Sequence, residues 1–303
     1  MRCVAASKVL PGSDAICLGP RNDARVTLDR THVAAIINMI MTVINRTLER
    51  IRLETRTRIL HVISVTDITP HMRRIRVGGL ELEGFSSPGH ADHIKVFLPA
   101  DGKPLPRPER HPDGLVWPDE VPKPFMRDYT PRYFDPAALT LDLDFVLHGD
   151  GPASTWAANA KVGEQLLIGG PRGSVRIPEA FDWYFLAGDE TALPAIGRRI
   201  EELPAHKPVI AIIEVPEAAD EQAFARRDNL SIHWVHRNGI EAGAENLILE
   251  RTASTQFPVG EGFAFVAGEA RMAKSLRAHL GTRGFNNDYI RAAGYWVRGE
   301  ASE

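Results

Sequence analysis

One short stretch, residues 126–133 with the sequence MRDYTPRY, carries side chains suited to holding a cofactor. Successive side chains of a strand alternate between its faces, so Arg127 and Tyr129 are predicted to share one side. A guanidinium can pair with phosphate, a phenol ring offers a flat surface, and Thr130 adds a hydroxyl. This combination suits a dinucleotide such as a flavin. An edge strand with a solvated Arg127 is the alternative interpretation.

A second group of candidate ligands lies in residues 148–157, HGDGPASTWA, between a predicted strand and a short helix. Gly151 suits the N-cap and Pro152 the first helical position. The first-turn amides of Ala153, Ser154 and Thr155 then form a ready anion site, and the alternative is an ordinary capped helix. Together with Arg127, the stretch predicts a phosphate held between the two.

A third group follows an apolar strand at residues 184–196, where a glycine turn leads into a helix. Ligands of open parallel sheets gather at such carboxyl ends of strands. The stretch lacks a G-x-G-x-x-G fingerprint, and residues 265–270 repeat its strand, glycine and acid. Both turns are predicted to flank one nicotinamide, with plain sheet topology as the alternative. The residues concerned are Gly188, Asp189, Glu190, Thr191, Gly268 and Glu269.

Composition limits the classes of function open to the chain. With 303 residues it can form two domains, and a net charge of -3 gives no reason to expect nucleic-acid binding. Cys3 and Cys17 are too few for a four-cysteine cluster or a disulfide framework, which fits a cytoplasmic protein. The apolar run at 33–44 is too short to span a bilayer, and no secretory signal is evident.

The periodicity of apolar residues changes along the chain and predicts three parts. Residues 1–54 form an extension with a helix predicted over Thr31–Arg52. Residues 55–178 show short alternating strands separated by Gly and Pro turns, which favours an antiparallel barrel, with 99–124 as a loop over it. Residues 179–303 alternate strands with helices, which predicts an α/β domain with a parallel sheet.

In this order the motifs resemble those of the siderophore-interacting protein family, the flavin-dependent ferric-siderophore reductases. The matching stretches span roughly residues 55 to 300 and are 92–99, 127–132, 148–156, 188–196, 233–237 and 294–296. The resemblance implies the ferredoxin-reductase-like fold, an antiparallel FAD-binding β-barrel followed by a nicotinamide-binding α/β domain. It also implies electron flow from NADPH or NADH through FAD to Fe(III) in a siderophore, with no protein metal ligand.

The resemblance further implies which residues hold FAD and the chelate. FAD is expected to contact Arg127, Tyr129, Thr130, His148, Gly151, Ala153, Ser154, Thr155, Trp156 and Trp296. Ferric siderophores are commonly anionic, so a basic surface beside the flavin is the expected receptor. Its candidate residues are Lys95, Arg132 and Arg298.

Several alternatives remain open at this point. A general NAD(P)H:flavin or ferredoxin-type reductase with another acceptor is one, and a flavoprotein that only binds ferric chelates is another. Ferredoxin is an alternative electron donor. Glu214 and Glu217 near a strand end would repel the 2′-phosphate of NADPH, whereas Arg237 could accept it. The sequence leaves the siderophore and the oligomeric state open.

Overall fold

The computed structural model describes residues 45–112, 114–149 and 151–300. An antiparallel sheet forms the first half of its fold. Seven strands follow the order β7-β4-β10-β2-β3-β9-β8, while β1 pairs with β11 and β5 with β6. The strands are β1 (Glu49–Arg52), β2 (Thr57–Thr69), β3 (Met72–Gly78), β4 (Ile94–Leu98), β5 (Glu109–His111), β6 (Gly114–Val116), β7 (Phe125–Tyr129), β8 (Tyr133–Asp135), β9 (Thr140–Val146), β10 (Gln165–Gly169) and β11 (Gly173–Arg176). Helix α1 (Pro152–Asn159) lies between β9 and β10.

The two faces of the β3–β9 pair have different chemistry. Because side chains alternate between the faces of a strand, those of Leu141, Leu143 and Phe145 all lie in the apolar core. On the other face Arg74 and Arg76 stand opposite Asp144 and Asp142, and each pair makes two hydrogen bonds of 2.7 and 2.8 Å. Charges directly opposite each other on neighbouring strands support the register in which the apolar face is buried.

A parallel five-stranded sheet forms the second half, in the order β14-β13-β12-β15-β16. Its strands are β12 (Trp183–Gly188), β13 (Val209–Val215), β14 (Leu230–His236), β15 (Gly262–Glu269) and β16 (Ile290–Trp296). Its helices are α2 (Leu193–Glu202), α3 (Leu247–Ala253) and α4 (Ala270–Thr282). Every residue of β12 and β15 is buried, as the near-continuous apolar runs of a parallel sheet covered on both faces require.

The architecture confirms the predicted fold class and corrects three local predictions. Residues 49–52, assigned to the end of a helix over 31–52, form strand β1; residues 31–44 lie outside the described residues. The loop over 99–124 contains the β5–β6 hairpin. Strand β16 was not predicted, because its small residues and glycine conceal the alternation. The predicted domain boundary falls between β11 and β12 and stays a prediction.

Helix α2 joins the two sheets through polar contacts of three of its residues. Arg198 donates to the Pro131 carbonyl at 2.9 Å and to the Ser87 carbonyl at 3.0 Å. Glu201 accepts two hydrogen bonds from Arg132, at 2.7 and 2.6 Å. The buried His90 ring contacts the Ala195 carbonyl at 3.1 Å. These contacts fix the end of β7 against the carboxyl end of β12.

Candidate functional site

The buried carboxylate of Asp189 connects the ends of three neighbouring strands. One oxygen accepts hydrogen bonds from the backbone N–H and the hydroxyl of Thr191, at 2.9 and 2.5 Å. The other accepts from the Glu269 N–H and from the indole nitrogen of Trp296, both at 2.8 Å. The two predicted nicotinamide turns and the C-terminal aromatic therefore meet at one acid.

Glycines make this convergence possible. A Cβ on Gly188 would lie 2.3 Å from the Ala267 carbonyl oxygen of the neighbouring strand. Gly268 has a φ of 134°, and a Cβ there would lie 2.4 Å from the Asp189 carboxylate. Burial, with Glu190 adding to it, raises the pKa of Asp189 to about 6. At neutral pH the Asp189 carboxyl is therefore mainly ionised, and it accepts its hydrogen bonds in a buried site.

The surroundings of Arg237 bear on its predicted contact with the 2′-phosphate of NADPH. Its guanidinium donates twice to Glu190, at 2.7 and 2.6 Å, and once to Glu214 at 3.2 Å. All three side chains are buried. Burial raises the pKa of Glu214 to about 7 against the opposing effect of Arg237. In this structure Arg237 neutralises two buried glutamates, and its assignment to the nicotinamide cofactor stays a prediction.

The predicted flavin strand and the 148–156 turn meet across one core ring. Tyr129 and Trp156 both pack against Phe145, with ring centroids 4.2 and 5.4 Å away. Burial raises the pKa of Tyr129, so its phenol stays protonated and able to donate. Arg127 is half-buried and donates to the Met126 carbonyl, and in the described part of the chain it forms no ion pair.

The start of α1 has the geometry predicted for an anion site. Gly151 is the N-cap and Pro152 opens the helix, so the amides of Ala153 and Ser154 have no carbonyl within the helix to bind, whereas the Thr155 N–H donates to the Gly151 carbonyl at 2.8 Å. The buried hydroxyl of Ser154 accepts the His148 N–H at 2.8 Å and closes the preceding turn. Ala153 is buried and Thr155 exposed. Ser154 therefore orders the turn by a side-chain hydrogen bond, a role its sequence position did not reveal.

Tyr295 is a site residue that the sequence prediction missed. Its phenol lies beside the side chain of Thr130, at the end of β7. It directly precedes Trp296 on β16, so the two neighbouring aromatics contact Thr130 of one sheet and Asp189 of the other. Alternation could not have found it, because the pairing of β16 with β15 shifts register between Gly294 and Trp296.

The three candidates for a basic chelate surface have different surroundings. Lys95 pairs with Asp128 at 2.9 Å and Arg298 pairs with Glu241, and both cations are substantially exposed. Arg132 is buried and holds Glu201, which contradicts its expected place on an exposed surface.

The sequence predicted no protein metal ligands. Among the described residues, His71, Glu217 and Asp220 have ligand atoms within 4.8 Å of one another. Both Asp220 oxygens already bind His71, at 3.0 Å to its backbone N–H and at 2.8 Å to its ring. These bonds dock the β2–β3 turn onto the segment after β13.

The residues near the barrel edge fit FAD. An unneutralised guanidinium at Arg127 and the helical amides of Ala153 and Ser154 suit a pyrophosphate. The phenol of Tyr129 and the indole of Trp296 offer aromatic surfaces, and Thr130 adds a hydroxyl. These assignments stay predictions, as do the nicotinamide assignments of Gly188, Asp189, Glu190, Thr191, Gly268 and Glu269. No helix among the described residues is both long enough and apolar enough to cross a membrane.

Comparison with known families matches most of the chain. The model described as "Siderophore-interacting FAD-binding domain" matches residues 61–175, and the one described as "Siderophore-interacting protein" matches 181–299. The NADPH-dependent ferric-chelate reductase of Escherichia coli is 36% identical over 251 residues, which are 82% of this chain and 96% of that protein. The ferric vibriobactin reductase of Vibrio cholerae is 33% identical, over 81% of this chain and 91% of that one.

Solved structures are similar over the same region. A siderophore utilization protein from T. fusca superposes with a TM-score of 0.78 at 39% identity, covering 85% of this chain and 99% of that one. The match to a ferredoxin reductase of carbazole 1,9a-dioxygenase has a TM-score of 0.57 and covers 80% of this chain and 70% of that one. Its identity of 17% supports the shared fold alone.

Proposed function

Because the chain belongs to the siderophore-interacting protein family, we propose that it reduces ferric siderophores through FAD and releases Fe(II). FAD, when bound, accepts a hydride and can pass electrons on singly. Ferrous iron binds hard oxygen chelators less tightly than ferric iron, so the reduction frees the metal. The iron is then substrate, and the protein needs no ligands of its own for it.

The observation that carries the proposal is the convergence at Asp189 and Thr130. Thr130, on the predicted flavin strand, lies beside Tyr295, while the adjacent Trp296 is held by Asp189 between the two predicted nicotinamide turns. A cofactor beside β7 would therefore face the carboxyl ends of β12 and β15. In this proposal Arg127 and α1 bind its phosphates, and Asp189 orients the turns beside its reactive ring.

The donor is proposed to be NADPH. Support comes from the Escherichia coli relative, whose name gives that cofactor, and from the glycine turns at Gly188 and Gly268, which lie at the carboxyl ends of parallel strands. With Arg237 engaged by Glu190, recognition of the 2′-phosphate falls to other groups. We further propose a cytoplasmic location, which is supported by the proposed nicotinamide donor and by a cysteine content too low for a disulfide framework.

The test is anaerobic NADPH oxidation by the FAD-loaded protein, with and without a ferric siderophore. Fe(II) is followed with a ferrous-specific chelator, and NADH and reduced ferredoxin are run as alternative donors. The proposal requires that the ferric chelate accelerate NADPH oxidation and that Fe(II) appear at two per NADPH. Oxidation that free flavin accelerates but the ferric chelate does not would favour a general flavin reductase. Tight chelate binding without turnover would favour a carrier.

A further inference from the structure

A surface cavity of about 280 Å³ lies at the outer edge of the parallel sheet, beside strand β14. It is formed by the first half of β14 and by the carboxyl end of α3. Its polar lining residues are Ser231, His233, Arg251, Ser254, Thr255 and Gln256. Ser231 and His233 lie near the amino end of β14, whereas the Asp189 turns follow the carboxyl ends of β12 and β15. The cavity is therefore separate from the candidate redox site.

Hydrogen bonding fixes which groups can donate into this cavity. Arg251 is always a donor, and it lies 2.7 Å from the Nδ1 atom of His233, so Nδ1 must accept. The remaining ring proton is then on Nε2, which lies 3.1 Å from the Ser231 hydroxyl oxygen and donates to it. The hydroxyl hydrogen of Ser231 is thereby left to donate elsewhere.

The charge of the cavity is positive. Arg251 forms no ion pair with a carboxylate in the described ranges of the chain; its partner is the neutral imidazole of His233. Burial and the nearby Arg251 lower the pKa of His233, which keeps that ring neutral. The hydroxyls of Ser254 and Thr255 both donate to the Arg251 carbonyl at 2.9 Å and hold the end of α3 in place.

From this arrangement we propose that the cavity binds a small oxyanion, through the guanidinium of Arg251 and the hydroxyl of Ser231. A guanidinium offers paired N–H donors that match phosphate and carboxylate oxygens, and Gln256 adds an amide to the same wall. A cation would meet a fixed positive charge. At about 30 Å³ per water the cavity has room for roughly nine waters. A phosphorylated or polycarboxylate metabolite therefore fits better than a bare ion.

Calorimetric titration of the FAD-loaded protein tests the site, with inorganic phosphate and citrate as separate probes at constant ionic strength. Wild type is expected to bind at least one of them saturably, and the tighter one identifies the oxyanion chemistry. Arg251→Gln is expected to weaken that binding about tenfold or more, as the loss of a charge-assisted hydrogen bond requires. Arg271→Gln, which removes an exposed cation from α4, is the matched control and should bind as wild type does.

Three results would overturn the proposal: no saturable binding of either probe, unchanged affinity in Arg251→Gln, or equal weakening in Arg271→Gln. The last result would indicate diffuse attraction to surface charge. Reductase turnover of Arg251→Gln is expected to equal that of wild type. Because binding is measured without nicotinamide or chelate, its outcome is independent of the proposed reductase function.

Discussion

Replacing Arg237 by methionine tests whether this residue neutralises buried acids or binds a nucleotide phosphate. The substitution keeps an unbranched side chain of similar length and removes the charge that Glu190 and Glu214 share. Removing one partner of a buried ion pair destabilises by about 3–5 kcal/mol, because the remaining charge is left without compensation. We expect Arg237→Met to lose free energy of unfolding in that range.

The size of the loss is expected to depend on pH, with a sign that follows from Glu214. Its pKa is already raised to about 7 in the folded protein, and loss of Arg237 must raise that pKa further. The folded variant therefore holds a proton that the unfolded chain releases, so its stability falls as pH rises from 6 to 8. We expect Arg237→Met to lose about 3 kcal/mol of unfolding free energy at pH 6 and about 5 kcal/mol at pH 8.

Denaturant unfolding of the FAD-loaded protein at both pH values measures these quantities. Arg298→Met is the matched control, since its exposed pair with Glu241 is expected to contribute less than about 1 kcal/mol. Adding Glu190→Gln to Arg237→Met should restore part of the stability. An Arg237→Met protein within about 1 kcal/mol of wild type at pH 8, with a raised KM for NADPH, would refute the reasoning and restore the phosphate-binding role.

Arg127→Ala is expected to lose FAD on gel filtration, since it removes the cation predicted to pair with the phosphates; full flavin occupancy would contradict this. Gly188→Ala should destabilise by about 1–3 kcal/mol through overpacking and slow flavin reduction by NADPH with FAD still bound, whereas unchanged stopped-flow kinetics would move the nicotinamide site elsewhere. Glu214→Gln should reduce the fall in unfolding free energy between pH 4.5 and 7, which the raised pKa sets at about 3 kcal/mol; equal pH slopes would count against it. The Lys95→Ala, Arg298→Ala double variant should raise the KM for an anionic ferric siderophore and weaken its salt dependence, and an equal effect on a neutral dye acceptor would argue against a chelate surface there.

The fold was predictable because its signals are local. Alternation along 140–146 and the unbroken apolar run at 183–187 each reflect how many faces of a strand are buried. The end of the predicted helix at 49–52 was wrong because a short segment takes its conformation from its partner, here β11. Periodicity within four residues cannot report a partner more than a hundred residues away.

The sequence predicted the turns of the candidate site. It did not predict which of the basic side chains are already paired with acids. Gly188 and Gly268 mark strand ends in the sequence, and the structure places them beside each other. The partners of Arg132 and Arg237 lie 69 and 47 residues away in sequence, so nothing near either arginine indicated that it was already neutralised. A basic residue in sequence is therefore weak evidence for a free cation, and burial decides the matter.

Helix α2 also has a consequence for engineering. Eight of its ten residues are buried, including Arg198, and Gly197 lies where a Cβ would approach the Arg132 guanidinium within 3.3 Å. Sequentially the helix follows β12, yet its contacts with Ser87, Pro131 and Arg132 belong to the other sheet. Chimaeras that exchange nicotinamide halves between relatives should therefore retain α2 with its native barrel. A junction at 178 separates the two, whereas one after 203 keeps them together.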